Sequence, residues 1–155
     1  MAEIYATYRP LYPEALFEFL RSISPSGGLA WDCGTGNGQA AVGLTKFFDA
    51  VHATDASENQ ISKCFPHPKI KYAVSPCEKV ELATESVDLV TSAAAIHWFP
   101  FETFFPEVQR VLKPQGICAA WCYKESSVSS EIDPFMNELL HGILGRYFPP
   151  EVDKT

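Results

Sequence analysis

The residues best placed to do chemistry lie in the run Leu29-Ala30-Trp31-Asp32-Cys33-Gly34-Thr35-Gly36-Asn37-Gly38-Gln39. A short apolar stretch leads into an acidic residue, alternate glycines and a helix-like segment. Alternate glycines permit positive φ and let a ligand approach main-chain N–H groups that side chains would obstruct. A dinucleotide fingerprint, G-x-G-x-x-G, starting at Gly34 requires glycine at position 39, where this chain has Gln39 and places its third glycine at Gly38 instead. Asp32 at the mouth of the loop would repel a pyrophosphate and attract a ligand ammonium group. The pattern therefore predicts a nucleoside carrying a cationic amino-acid part, in preference to NAD.

The rest of the chain must position that loop. Pro13 at a helix start, followed by Leu16, Phe17, Leu20 and Ile23, predicts an amphipathic helix that ends before Ser24-Pro25-Ser26-Gly27-Gly28. Strands are predicted over 29–33, 50–54, 69–74, 87–92 and 117–123. Between them Ala40, Ala41, Leu44, Phe47 and Phe48 recur at helical spacing, with the small residues nearest the loop. Ser57-Glu58-Asn59-Gln60 reads as a capping box opening a helix to Cys64. Phe101, Phe104, Phe105, Val108 and Val111 share a helical face, in which Pro106 predicts a kink or a start near 105. Lys113-Pro114-Gln115-Gly116 reads as a turn. Asp133 as N-cap with Pro134 at N1 predicts a last helix with Met136, Leu139, Leu140 and Ile143 inward. Alternating strands and helices imply an α/β fold with a parallel sheet and right-handed crossovers. Ligands then bind beyond the carboxyl ends of the strands, where Asp32, Gly34, Asp55 and the segments after strands three and four converge.

The D-x-G-x-G-x-G run from Asp32 resembles motif I of the class I S-adenosylmethionine-dependent methyltransferases. The likeness continues in order. Ala50-Val51-His52-Ala53-Thr54 ending at Asp55 is similar to the family's second strand with its acidic end, and Val87-Asp88-Leu89-Val90 to its fourth strand. Arg110-Val111-Leu112-Lys113-Pro114-Gln115-Gly116 resembles its helix-to-strand turn before the fifth. Ile96-His97-Trp98-Phe99 and the N-terminal Y-x-x-x-R-P-x-Y-P segment, Tyr5 to Pro13, resemble the type 11 group, which includes relatives of trans-aconitate methyltransferase and plant and fungal homologues.

The resemblance implies a Rossmann-like, mostly parallel sheet with helices on both faces and S-adenosyl-L-methionine as cofactor. It assigns Asp32, Cys33, Gly34, Thr35, Gly36 and Gly38 to the methionine end, and Asp55 with Ala56 to the ribose. Asp55 has a second reading as a helix-capping carboxylate. Ser75-Pro76-Cys77-Glu78 aligns with the loop that in many relatives brings an Asp to the adenine amino group. Pro76 occupies that position here, so adenine falls to Cys77 and Glu78, Glu78 being equally readable as a surface charge. Ala94 and Trp98 follow strand four. Trp98 reads either as a cation–π partner of the sulfonium or as an aromatic core plug. His97 reads as a general base or as a structural imidazole capping the neighbouring turn. Tyr8 and Arg9 would belong to a lid, with Arg9 pairing the methionine carboxylate, or to a segment stapling the first helix to the sheet.

The chain has 155 residues, 46% of them apolar, enough for one soluble domain over 1–155. Its expected parts are a lid and first helix (1–28), a cofactor core (29–123) and the start of a substrate-side region (124–155). A net charge of −7 and the lack of a basic run argue against nucleic acid. No apolar run reaches membrane-spanning length. Five cysteines without paired C-x-x-C motifs suit a reduced, cytoplasmic setting. Cys64 and His67 lack a second ligand pair, so no metal is expected, and Cys118 with Cys122 reads as buried packing. Neither G-x-S-x-G nor G-x-x-x-x-G-K-[ST] occurs.

The family's sheet closes with an antiparallel hairpin that this chain is expected to lack, leaving strand five as an open edge suited to self-association. The expected function is methyl transfer to a small molecule, O- or carboxyl-methylation being favoured. The alternatives are a non-catalytic cofactor-binding or interaction module and a nicotinamide oxidoreductase.

Overall fold

The computed structural model describes residues 12–122 and 127–147. The chain divides into two compact units, Met1–Cys122 and Tyr123–Thr155. In the first unit the elements are α1 (Glu14–Ile23), β1 (Leu29–Cys33), α2 (Gln39–Leu44), β2 (Ala50–Asp55), α3 (Glu58–Ile61), β3 (Ile70–Val74), β4 (Val87–Ala93), a 3₁₀ turn (Ile96–Trp98), α4 (Phe101–Val111) and β5 (Leu112–Trp121). The strands form one sheet in the order β3-β2-β1-β4-β5, and every pairing is parallel. This is the expected α/β, Rossmann-like architecture. The order reverses beside β1: the chain winds outward to β3 and crosses back to lay β4 on the other flank of β1. Such a reversal opens a crevice at the carboxyl ends of β1 and β4.

Strand alternation divides the core between the two sheet faces. On one face Ala30, Val51, Ala53 and Leu89 pack with Phe17 and Leu20 of α1 and Ala40, Ala41 and Leu44 of α2. Ala40 and Ala41 let α2 approach the sheet directly after the loop, as their small size predicts. On the other face Trp31, Cys33 and Val90 pack with Phe104, Val108 and Val111 of α4. The Trp31 indole N–H, buried in this layer, donates to Thr54 Oγ1 at 2.9 Å.

Asp88 fastens the opposite end of the crossing strands. Its buried carboxylate accepts from Ser26 Oγ at 2.6 Å, the Leu29 N–H at 2.9 Å and Lys113 Nζ at 2.9 and 3.0 Å. Burial alone would raise its pKa, but the Ser26, Leu29 and Lys113 hydrogen bonds and the lysine charge bring the net direction below the ordinary Asp value. Asp88→Ala leaves the Lys113 ammonium and a strand-opening N–H without their partner. The expected cost is about 3 kcal/mol in urea unfolding, and a loss under about 0.5 kcal/mol would show the network to be dispensable.

Several local expectations give way to packing. Pro106 neither starts nor shortens α4, which runs through it from Phe101 to Val111. Pro106 and Glu102, whose carbonyl the missing N–H would have met, both lie on the exposed side, where water can satisfy that carbonyl. Lys113-Pro114-Gln115-Gly116 lies inside β5 as an irregularity: the β4 register passes from Val87↔Leu112 to Leu89↔Ile117, and Gln115 takes φ 65°. Ser57 forms no side-chain cap on the four-residue α3, and Asp55 Oδ1 accepts its N–H in the place that a capping box gives to the Gln60 side chain. Cys118, on the edge strand, and Cys122, just past its end, are exposed, not packed.

In the second unit, Asp133–Asn137 form α5, which continues as a π-helical stretch, Glu138–Ile143, and a 3₁₀ turn, Gly145–Tyr147. Ile132, not Asp133, is the N-cap. The Asp133 carboxylate turns back to accept from Ser127 Oγ and from the Val128 and Ser129 N–H groups at 2.7 and 3.2 Å. Met136, Leu139 and Ile143, expected inward, are exposed. No helix among the described residues is long and apolar enough to cross a membrane.

Candidate functional site

Two adjoining hollows open at the carboxyl edge of the sheet. The first, about 360 Å³, is lined by Tyr12, the glycine loop at Gly34, Thr35, Gly36 and Asn37, then Gln39, Asp55, Ser57, Gln60, residues 93–95 and Trp98. The second, about 400 Å³, is lined by Cys33, Gly34, Asp55, Ala56, residues 75–78, Ala95 and residues 98–100. Gly34, Asp55, Ala95 and Trp98 belong to both walls, so the hollows meet there. One is framed mainly by loop backbone and polar side chains, the other by apolar groups and two cysteines. An elongated ligand with a polar tail and a flat, less polar head suits that division.

The loop glycines all adopt positive φ, 70°, 57° and 90° at Gly34, Gly36 and Gly38, but each meets different surroundings. A Cβ on Gly34 would sit 2.7 Å from the Ala95 Cβ and 2.9 Å from the Phe99 ring, so this glycine lets β1 and the segment after β4 touch. A Cβ on Gly38 would lie 2.6 Å from the Tyr72 hydroxyl. Gly38 thus faces β3 and stands outside both walls. A Cβ on Gly36 would meet nothing within 4 Å; its bare backbone faces the first hollow.

Asp55 ends β2 at the junction of the hollows. Its Oδ2 accepts the Gly36 N–H at 2.9 Å and its Oδ1 the Ser57 N–H at 2.9 Å. The two readings of this carboxylate therefore combine: it shapes the loop and the start of α3 while standing in the site wall. Each oxygen retains acceptor capacity for a ligand hydroxyl.

Asp32 departs from expectation. It is fully buried on the Ala30 side of β1, absent from both walls, with one oxygen accepting from Thr35 Oγ1 at 2.6 Å and the other from Thr91 Oγ1 at 2.7 Å. Burial pushes its carboxyl up to about 6, although these hydroxyl bonds favour the ionised form. Strand alternation explains the placement: the residue two after Ala30 points under α2, not out of the strand end. Asp32 is a positioning residue that ties the loop to β4.

The second hollow is held from behind. Glu107 of α4 accepts the Val80 N–H at 2.7 Å, and Arg110 donates to the Leu82 and Val80 carbonyls at 2.8 and 3.2 Å while pairing with Glu107 at 2.7 Å. This fixes the segment following Cys77 and Glu78, which stand in the wall as expected, Cys77 Sγ donating to Glu78 Oε2 at 3.2 Å. Burial pushes the Cys77 thiol up to about 12 and moves Cys33 in the same direction, so neither presents a thiolate nucleophile near neutral pH.

After β4, Ala94 adopts φ 54°, a left-handed conformation unusual for a residue with a Cβ, and donates its N–H to the Trp121 carbonyl at 2.7 Å. Trp98 stands at the lip of both hollows with 80% of its surface exposed, which excludes the core-plug reading. His97 is exposed and lines neither hollow; its ring lies 5.0 Å from that of Trp98. Tyr8 and Arg9 lie outside the described residues. Among the described residues no group of three His, Cys, Asp or Glu side chains could hold a metal ion. Sequence reasoning missed Gln60 and Gln39 as wall residues. Gln60 lies two residues into α3, and Gln39 follows the last glycine directly, so proximity to Asp55 and to the loop was the available signal.

Residues 31–120 match the family model described as a methyltransferase domain. The chain is 34% identical over 134 residues to a Dictyostelium discoideum protein named as a methyltransferase, covering 86% of this chain and 51% of that protein. It is 31% identical over 128 residues to a Saccharomyces cerevisiae protein described as an S-adenosylmethionine-dependent methyltransferase, covering 77% of this chain and 44% of that one. A solved structure described as a type II methyltransferase from Anaeromyxobacter dehalogenans superposes with a TM-score of 0.87 at 44% identity, over 92% of this chain and 61% of that one. The chain thus spans about half the length of these curated relatives.

Proposed function

Because the chain belongs to the class I S-adenosylmethionine-dependent methyltransferases, we propose that its two hollows receive that cofactor and that it carries out methyl transfer to a small molecule. The observation that carries this reading is Asp55, held by two backbone N–H groups at the junction of a polar and an apolar hollow. There it would accept the ribose hydroxyls, with the nucleoside base toward Cys77 and Glu78 and the aminoacyl tail along Gly36.

When bound, the cofactor supplies a methyl group already activated on sulfur. The chain's own residues then bind, align and exclude water, an effect worth up to about 7–11 kcal/mol in ideal geometry. Trp98 at the lip offers an aromatic face to a sulfonium and a cover over the junction. An oxygen acceptor is the class favoured in this reading. The position of His97 outside both walls favours a carboxylate over a hydroxyl, because a carboxylate is ionised at neutral pH and requires no base.

Calorimetric titration of the chain with S-adenosylhomocysteine tests the reading. A saturable isotherm with one ligand per chain is expected, and none with NAD. Absence of saturation up to about 1 mM, only about −4 kcal/mol of binding, would sink the proposal.

A further inference from the structure

The wall of the hollow that faces Gly36 includes a side chain with an unused acceptor. Gln39, the first residue of α2, lines this hollow, and its Oε1 is tucked behind the wall, shielded from solvent and without a hydrogen-bond donor among the described residues. The two carboxylates nearby are engaged. Asp55 receives the Gly36 and Ser57 N–H groups, and Asp32 receives the Thr35 and Thr91 hydroxyls outside the wall. A buried acceptor left unpaired is costly, and a ligand that delivers a donor removes that cost.

We propose that Gln39 is a specificity-determining residue whose amide oxygen receives the α-ammonium of the aminoacyl tail, the role that sequence reasoning gave to Asp32. This rests on the cofactor reading above. An α-ammonium is a charged donor with three N–H bonds, and the terminal amide torsion of glutamine is soft enough to turn the oxygen toward it. A neutral amide also suits a zwitterionic tail. A carboxylate in this place would attract the ammonium but repel the carboxyl group beside it, whereas an amide presents an acceptor and a donor together. Placement directly after Gly38 sets the side chain beside the bare backbone of Gly36.

The test uses two probes that share the thioether nucleoside and differ in the tail: S-adenosylhomocysteine, which has it, and 5′-methylthioadenosine, which lacks it. In Gln39→Leu, affinity for S-adenosylhomocysteine should fall about tenfold, with 5′-methylthioadenosine unchanged within about twofold. The urea midpoint should hold or rise, since an unpaired acceptor has been removed. Gln39→Met serves as a second variant if the branched side chain disturbs folding. Equal losses for both probes, or no loss for either, would overturn the assignment while leaving the cofactor reading intact. Failure of the unmodified chain to bind either probe would remove the cofactor reading and this inference with it.

Discussion

Gly34→Ala and Gly36→Ala should fail in opposite ways, although both replace a positive-φ glycine in one loop. At Gly34 the new methyl group meets Ala95 at 2.7 Å and Phe99 at 2.9 Å, so strain of the backbone adds to a clash in packed surroundings. The expected cost is about 3 kcal/mol or more in urea unfolding, enough to depopulate the native state of a marginally stable domain. At Gly36 the methyl group enters open space, and only the left-handed backbone penalty of about 1–2 kcal/mol applies. That open space is the wall of the first hollow, so affinity for S-adenosylhomocysteine should fall about a hundredfold in a chain that still folds. Calorimetry and urea unfolding on both variants separate the two outcomes. Unchanged affinity in Gly36→Ala would place the ligand elsewhere.

The second large effect is a stability–pH dependence that runs against the usual acid-denaturation trend. Burial raises the Asp32 carboxyl from 3.8 to about 6, so between these values the folded state holds a proton that the unfolded state has lost. The contribution is therefore most favourable below about pH 4 and declines as pH rises through about 6, by about 3 kcal/mol in all. Asp88 and Glu107, held below their ordinary values, have the opposite sign and lose their contribution on acidification. Comparing Asp32→Asn with the unmodified chain cancels those shared terms. The variant should gain about 2 kcal/mol relative to the unmodified chain on going from pH 4 to pH 7. Parallel urea-derived stability curves across that interval would refute a raised carboxyl at position 32.

The sheet was readable because parallel strands buried on both faces appear as short apolar runs, and β1 to β4 occupy the predicted segments within a residue or so. Asp55 was found because it ends such a run. The errors share another origin: local signals were opposed by tertiary packing that no window reveals. Phe104, Val108 and Val111 bind α4 to the sheet firmly enough to carry Pro106, and the β4–β5 ladder absorbs Gln115 as an irregularity. Asp55 accepts the Ser57 N–H, the bond that a capping box assigns to the Gln60 side chain. Asp32 was recognised by type and position, but its orientation depended on strand alternation and on Thr91, 59 residues away. The placement of Gln39 was equally invisible: a residue that first counted only against a dinucleotide lies in the wall itself.

The bond from Gly36 to Asp55 couples two acts of recognition that a list of contacts would treat separately. The same carboxylate that stands ready for a sugar diol also sets the curvature of the turn along which an amino-acid tail would lie. In the proposed complex, a nucleoside pulling on that acid would therefore adjust the cradle at the far end of its own molecule, so that the two ends would be recognised together and a change at one would be felt at the other.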